Sequence, residues 1–116
     1  MRYYTDGSST IGVKSAYCVT DENGKVVEYI ESVMPSYTNN EEEYHGVIAA
    51  LYLAKTGDEV YTDSLLVVNQ IKGMYAVKKP HLKALCDEAK RLQREKQVPV
   101  TWISREENLA GKKFKK

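Results

Sequence analysis

Three acidic residues stand where a folded chain could bring carboxylates together: Asp6 in Thr5-Asp6-Gly7-Ser8, Glu43 in Glu41-Glu42-Glu43, and Asp63 in Tyr61-Thr62-Asp63-Ser64. Converging carboxylates raise one another's pKa and are costly unless something positive sits between them. A hard divalent cation meets that need, because carboxylate oxygens suit Mg2+ or Mn2+. Two such ions ~3.5–4 Å apart activate a water and stabilise the leaving oxygen of a phosphodiester, so phosphodiester hydrolysis is the chemistry such a cluster favours. Taken singly, each residue has an ordinary explanation. Asp6 before Gly-Ser makes a turn, Glu43 complements the positive end of a helix, and Asp63 is a helix N-cap.

The elements that must position them are legible in the hydrophobic pattern. Residues 2–6, 13–20 and 25–34 read as strands, the last two joined by the hairpin turn Asp21-Glu22-Asn23-Gly24. Gly7, Ser8, Ser9 and Gly12 are turn formers between the first two strands, and Pro35-Ser36 closes the third. From Glu41 the period becomes helical, with Tyr44, Val47, Ile48, Leu51 and Tyr52 on one stripe and Gly57 as the stop. Residues 59–62 make a short strand running into Asp63-Ser64, the N-cap pair of a second helix that carries Leu66, Val67, Asn69, Gln70 and Ile71 and stops at Gly73.

Pro80 opens a third helix with Leu82, Leu85, Ala89 and Leu92 in helical spacing. Residues 99–103 are the last strand, followed by a short basic helix from about Asn108. The order βββαβααβα predicts an α/β fold: a five-stranded mixed sheet, three antiparallel strands then two parallel ones, flanked by helices. If the first and fourth strands are parallel neighbours, Asp6 and Asp63 emerge at the same carboxyl edge. Glu43 shares a helical stripe with Val47 and Ala50 and points inward over that edge, while Glu41 and Glu42 face more toward water.

A chain of 116 residues with 42% hydrophobic content has room for one core, so residues 1–116 are read as a single domain. The net charge of +1 is too balanced to announce a nucleic-acid partner. Basic residues do gather late, at Lys78, Lys79, Lys83, Lys90, Arg91, Arg94, Lys96, Lys112, Lys113, Lys115 and Lys116. Solvated helix surface and a phosphate-facing role both account for them. No stretch reads as a signal peptide or approaches the ~20 apolar residues of a membrane span, so a cytoplasmic protein with no membrane partner is expected. Cys18 and Cys86 lack any metal or redox spacing and are expected to be free, buried thiols. Trp102 and most of the Tyr residues are assigned to core packing.

The segments Tyr4-Thr5-Asp6-Gly7-Ser8, Thr38-Asn39-Asn40-Glu41-Glu42-Glu43-Tyr44 and Tyr61-Thr62-Asp63-Ser64 closely resemble, in order and spacing, the three acidic motifs of the ribonuclease H type 1 family. The element order agrees over nearly the whole chain. The resemblance implies the ribonuclease H-like fold and a metal-dependent endoribonuclease cutting the RNA strand of RNA–DNA hybrids with two ions. It implies that Asp6, Glu43 and Asp63 are metal ligands, with Glu43 bridging an ion and the RNA strand. Thr38, Asn39 and Asn40 are implied to contact the hybrid, Thr38 near a DNA-strand phosphate and the two Asn in the minor groove. Gly7, Ser8 and Ser64 complete the implied substrate-binding set. A monomer with no protein partner is expected.

The sequence departs from that family in three places. The usual fourth acidic residue, at the start of the last helix, has no counterpart in Arg105-Glu106-Glu107-Asn108-Leu109-Ala110-Gly111. Aligning the helix starts puts Asn108 there as a catalytic and metal residue, with Glu106 and Glu107 as flanking alternatives. An uncharged amide holds a cation less tightly, which predicts a preference for Mn2+ over Mg2+. The loop before the last helix carries no His, and His45 and His81 are read as surface or structural residues. Residues 71–80 are too few for the inserted basic helix of some members. The tail Lys112-Lys113-Phe114-Lys115-Lys116 offers phosphate contacts in its place. A rival reading is a hybrid- or RNA-binding module of the same fold with little or no catalysis.

Overall fold

A computed structural model of the chain describes residues 1–33 and 37–114. The expected closing turn at Pro35-Ser36, the last residue of the third expected strand, Met34, and the tail residues Lys115 and Lys116 lie outside the described residues. The elements are β1 (Arg2–Thr10), β2 (Lys14–Thr20), β3 (Val26–Val33), α1 (Asn39–Leu53), β4 (Glu59–Thr62), α2 (Leu65–Ile71), α3 (Pro80–Lys96), β5 (Val100–Trp102) and α4 (Leu109–Phe114). A 3-10 turn, Arg105–Glu107, leads into α4.

One sheet runs in the order β3-β2-β1-β4-β5. β1 with β2 and β2 with β3 are antiparallel, while β1 with β4 and β4 with β5 are parallel. The expected mixed sheet of three antiparallel and two parallel strands is therefore the observed one. On one face, Val19 and Val60 of the sheet pack against Val47 and Leu51 of α1, Val67 of α2, and Leu82 and Leu92 of α3. Burying each such side chain contributes roughly 1.5–3 kcal/mol. The other face is thinner: Tyr4 and Cys18 pack against Ala110 of α4. Cys18 and Cys86 are buried and, among the described residues, form no disulfide, as expected.

Several expectations are corrected. β1 does not stop at Asp6: Gly7, Ser8 and Ser9 continue the strand opposite Tyr17, Ala16 and Ser15 of β2. The turn is made beyond Thr10, where Gly12 takes a left-handed φ of 81°. α1 begins at Asn39 rather than Glu41, because Thr38 is the N-cap: its side chain accepts from Glu41 N at 3.2 Å, and Glu41 Oε1 accepts from Thr38 N at 2.8 Å.

The same helix ends before Gly57, at Leu53, where its last carbonyls are taken by a distant residue. Lys96 Nζ donates to Leu51 O at 2.8 Å, Tyr52 O at 2.7 Å and Ala54 O at 3.0 Å. Trp102 is not a core residue. It is 47% exposed, with Nε1 donating to Asp63 O at 3.3 Å, and Tyr29, Tyr37, Tyr52 and Tyr75 are also exposed. β5 ends at Trp102 at the sheet edge, so this ring lacks a covering layer. No helix among the described residues is long and apolar enough to cross a membrane.

A candidate metal centre

The register of the parallel pair places the first two carboxylates. Thr5 of β1 is paired with Thr62 of β4, the last pair between these strands, so Asp6 and Asp63 are the next residue of each. β4 ends there while β1 runs on beside β2, which leaves the β4 side of β1 open from Asp6 onward. A notch at the carboxyl edge of the sheet follows directly from this difference in strand length.

The third carboxylate enters this notch from α1. The helix N-terminus is tied to the extended part of β1 by Asn39 Oδ1, which accepts from Ser9 N at 2.6 Å, and by Ser9 Oγ donating to Tyr37 O. The approach is close enough to exclude any side chain at position 7. A Cβ there would lie 2.3 Å from Glu42 C, 2.4 Å from Glu42 O and 2.5 Å from Glu43 N. Gly7 is thus a packing requirement of the site, where the sequence suggested a turn.

Ligand atoms of Asp6, Glu43 and Asp63 all lie within 4.8 Å of one another. Burial pushes the Glu43 carboxyl up to about 9, and the negative charges of Asp6 and then Asp63 push the same way. A backbone hydrogen bond from Gly7 and the positive charge of Arg105 oppose the rise. Glu43 Oε1 is buried with no hydrogen-bond partner. Three converging carboxyl groups, whose crowding favours a proton on Glu43 and leaves one of its oxygens without a partner, suit a hard divalent cation in that proton's place.

The surrounding cleft has a volume of about 440 Å3 and is lined by Asp6, Gly7, Ser8, Asn39, Glu43, Asp63 and Arg105. Of the residues singled out in the sequence, it therefore gathers the three carboxylates with Gly7, Ser8 and Asn39. Asn40 is exposed on the first turn of α1, and Thr38 is its cap. Ser64 caps α2, its side chain accepting from Val67 N at 3.2 Å. None of these three lines the cleft.

Asn108 is adjacent to the carboxylates and fully buried, but its oxygen is engaged elsewhere. Oδ1 accepts from Ala110 N at 3.0 Å and Gly111 N at 3.4 Å, capping α4, while Nδ2 donates to Thr5 O at 2.9 Å and Asp63 Oδ2 at 3.1 Å. The reversed amide would set oxygen against two acceptors and NH2 against two donors, so the network fixes this orientation. The atom an ion would need is turned toward the helix, and the amide holds Asp63 by a donated hydrogen bond. Gly111 of α4 lies against the cluster: a Cβ there would lie 3.3 Å from Asp6 Oδ2 and 3.8 Å from Asp63 Oδ2. The flanking Glu106 and Glu107 are exposed, and Glu107 Oε1 accepts from Ser104 Oγ at 3.3 Å.

Glu42 also departs from expectation. It is 2% exposed, with Oε1 2.6 Å from His45 Nδ1, because the turn that aims Glu43 into the notch also presses the Glu42 backbone onto Gly7. His45 thus serves this pair and does not line the cleft, and His81 is exposed at the start of α3. Arg105 is the residue the sequence reading missed. Its signal was a lone cation in the 3-10 turn before the last helix, where no His was found.

A profile of the reverse transcriptase-like family matches residues 4–114. In sequence, the chain is 33% identical over 94 residues to the bifunctional protein Rv2228c of Mycobacterium tuberculosis, covering 77% of this chain. The match spans only 26%, about a quarter, of that protein's length. In structure, it is similar to the N-terminal RNase H domain of Rv2228c, solved as a fusion with maltose binding protein, at a TM-score of 0.74 and 30% identity over 92% of this chain and 84% of that one. LC11-RNase H1 in complex with an RNA/DNA hybrid is similar at a TM-score of 0.68 and 29% identity, over 92% of this chain and 87% of that one.

Proposed function

As the chain belongs to the reverse transcriptase-like family with the fold of ribonuclease H1, we propose that it is a metal-dependent endoribonuclease that hydrolyses the RNA strand of RNA–DNA hybrids. The observation that carries this reading is the convergence of Asp6, Glu43 and Asp63 within 4.8 Å at the open edge beside β1. The ribonuclease H1 that was solved with an RNA/DNA hybrid supports the substrate class.

Asp6, Glu43 and Asp63 would hold two divalent cations. Bound there, the ions supply the charge that activates water and stabilises the leaving oxygen of a phosphodiester. The buried Glu43 oxygen, without a protein partner, is available to them and to the scissile strand. Asn108 holds the Asp63 carboxylate in place through its donated hydrogen bond. Arg105 brings a permanent positive charge to the cleft wall, suited to a phosphate oxygen. Ser8 and Asn39 line the cleft and contact the hybrid. The Oδ1 of Asn39 is held by Ser9, which leaves its NH2 to donate to minor-groove acceptors or the 2′-hydroxyl. Asn40, Thr38 and Ser64 extend that contact at the helix starts, and Gly7 lets α1 approach.

With three carboxylates and an amide whose oxygen is committed to α4, the second ion has fewer charged ligands. This supports higher activity with Mn2+, which accepts less regular, less oxygen-rich coordination than Mg2+. The same observation favours a second reading, a hybrid-binding module that has lost catalysis. Cleavage of a labelled hybrid, beside RNA–RNA and DNA–DNA duplexes, with Mn2+, Mg2+ or chelator, separates the two. Metal-dependent cutting of the RNA strand that disappears in Asp63→Asn establishes the enzyme. Intact binding without cutting in either ion establishes the module.

A further inference from the structure

A second groove lies where the C-terminal turn of α2 meets the latter half of α3. It has a volume of about 280 Å3 and is lined by Ile71, Lys72, Gly73, Lys90, Gln93 and Arg94, three cations with no carboxylate. Among the described residues, Lys72, Lys90 and Arg94 form no ion pair. Elsewhere on the same helix Arg91 pairs with Glu88 at 3.7 Å and with Glu95 at 3.0 Å. In a chain of net charge +1, this is a local separation of charge. Lys90 and Arg94 are four residues apart on one helix face, a like-charge spacing that a bound anion would relieve.

The turn beside the groove is held in one shape. Gly73, at φ 83°, donates from its N to Gln70 O at 3.1 Å, and Met74 N and Tyr75 N both donate to Asn69 O, at 2.8 and 3.1 Å. It leaves Met74 73% and Tyr75 47% exposed. Unpaired cations next to exposed aromatic surface are the combination that takes a sugar–phosphate backbone and its bases. Helix-end electrostatics accounts for Lys72 at the end of α2 and Arg94 in the last turn of α3, but not for Lys90 nor for the convergence of all three.

α2 connects this groove to the metal centre. Asp63 and Ser64 precede its first residue and Lys72 follows its last, and seven residues at ~1.5 Å each span about 10 Å. We propose that the groove binds backbone phosphates of the same hybrid whose RNA strand crosses the carboxylates, as a non-catalytic grip on the substrate. This inference rests on the hybrid-cleaving reading above.

The test compares the wild type with a triple variant, Lys72→Ala, Lys90→Ala and Arg94→Ala. A control with the same change in net charge, Arg2→Ala, Lys25→Ala and Lys55→Ala, alters exposed positions outside the groove. Thermal melting verifies that all three proteins are folded. Binding of a labelled hybrid is followed by fluorescence anisotropy in chelator over a series of salt concentrations. The groove variant is expected to bind more weakly, with a log–log salt slope shallower by about 2–3, the loss of up to three phosphate contacts. In metal its KM rises while kcat stays within about twofold of wild type. An unchanged slope, or an equal loss in the control, overturns the proposal. If the wild type binds hybrid without cutting it, the catalytic reading falls while the slopes still decide the groove. If it neither binds nor cuts, both fall.

Discussion

Replacing Gly7 with Ala puts a methyl group where the Glu42 and Glu43 backbone already stands. The new Cβ would sit 2.3 Å from Glu42 C, and restoring an ordinary contact of ~3.5 Å takes a displacement of about 1 Å. β1 is fixed by pairing on the β2 side, so the N-terminus of α1 must give way, stretching the bond between Ser9 N and Asn39 Oδ1. Overpacking of this kind costs about 1–3 kcal/mol of stability. The same shift carries Glu43 away from Asp6 and Asp63, and a 1 Å misplacement of a reacting constellation costs roughly 100-fold in rate. Gly7→Ala is therefore expected to lower kcat on the hybrid by about 100-fold and weaken Mn2+ binding, with a smaller fractional change in stability. Single-turnover cleavage, Mn2+ titration calorimetry and urea denaturation provide the three readouts. A folded variant with wild-type Mn2+ affinity and rate would refute the claim that backbone contact at Gly7 aims Glu43.

Three further outcomes follow from the geometry. Glu43 has its folded carboxyl raised to about 9 from an ordinary 4.5, so between those values the folded state holds a proton that the unfolded state has released. The metal-free protein should lose stability as pH rises through that window. Melting temperatures in chelator test this, and a slope that survives Glu43→Gln would contradict the assignment. Lys96→Ala removes three hydrogen bonds from a charged donor to the end of α1 and should cost about 1.5–3 kcal/mol with kcat unchanged. A urea midpoint equal to wild type would count against that cap. Asn108→Ala leaves Thr5 O and Asp63 Oδ2 without their donor and uncaps α4, for an expected loss of about 1–3 kcal/mol and weaker Mn2+ binding. Unaltered stability and metal affinity together would exclude the positioning role.

Much of the fold was legible in the sequence because its signals are local. The Asp21-Glu22-Asn23-Gly24 hairpin turn between the second and third strands, the helical stripe from Tyr44 to Leu51 and the Pro80 helix start each depend on neighbouring residues alone. The order of elements then restricts the sheet to a mixed arrangement, since strands separated by helices pair in parallel through right-handed crossovers. Asp6, Glu43 and Asp63 were legible as a set by the same route, Asp63 just past a strand end and Glu43 on the inward stripe of a helix, although β1 runs on beyond the strand end expected at Asp6.

The tertiary structure decided what depends on distance between segments remote in sequence. Gly7 read as a turn residue because its neighbours are turn formers, and only the approach of α1 shows that it is a strand residue under backbone contact. Glu42 looked like a solvated charge, yet the contact that aims Glu43 buries it beside His45. Asn108 could be aligned with a missing carboxylate, but which of its amide atoms meets the site depends on partners in β1, at the start of α2 and in α4. Trp102 carries no mark of which edge its strand occupies. Periodicity records which face of an element is buried, whereas the groups that meet across elements, and the atoms by which they meet, are set only when the elements pack.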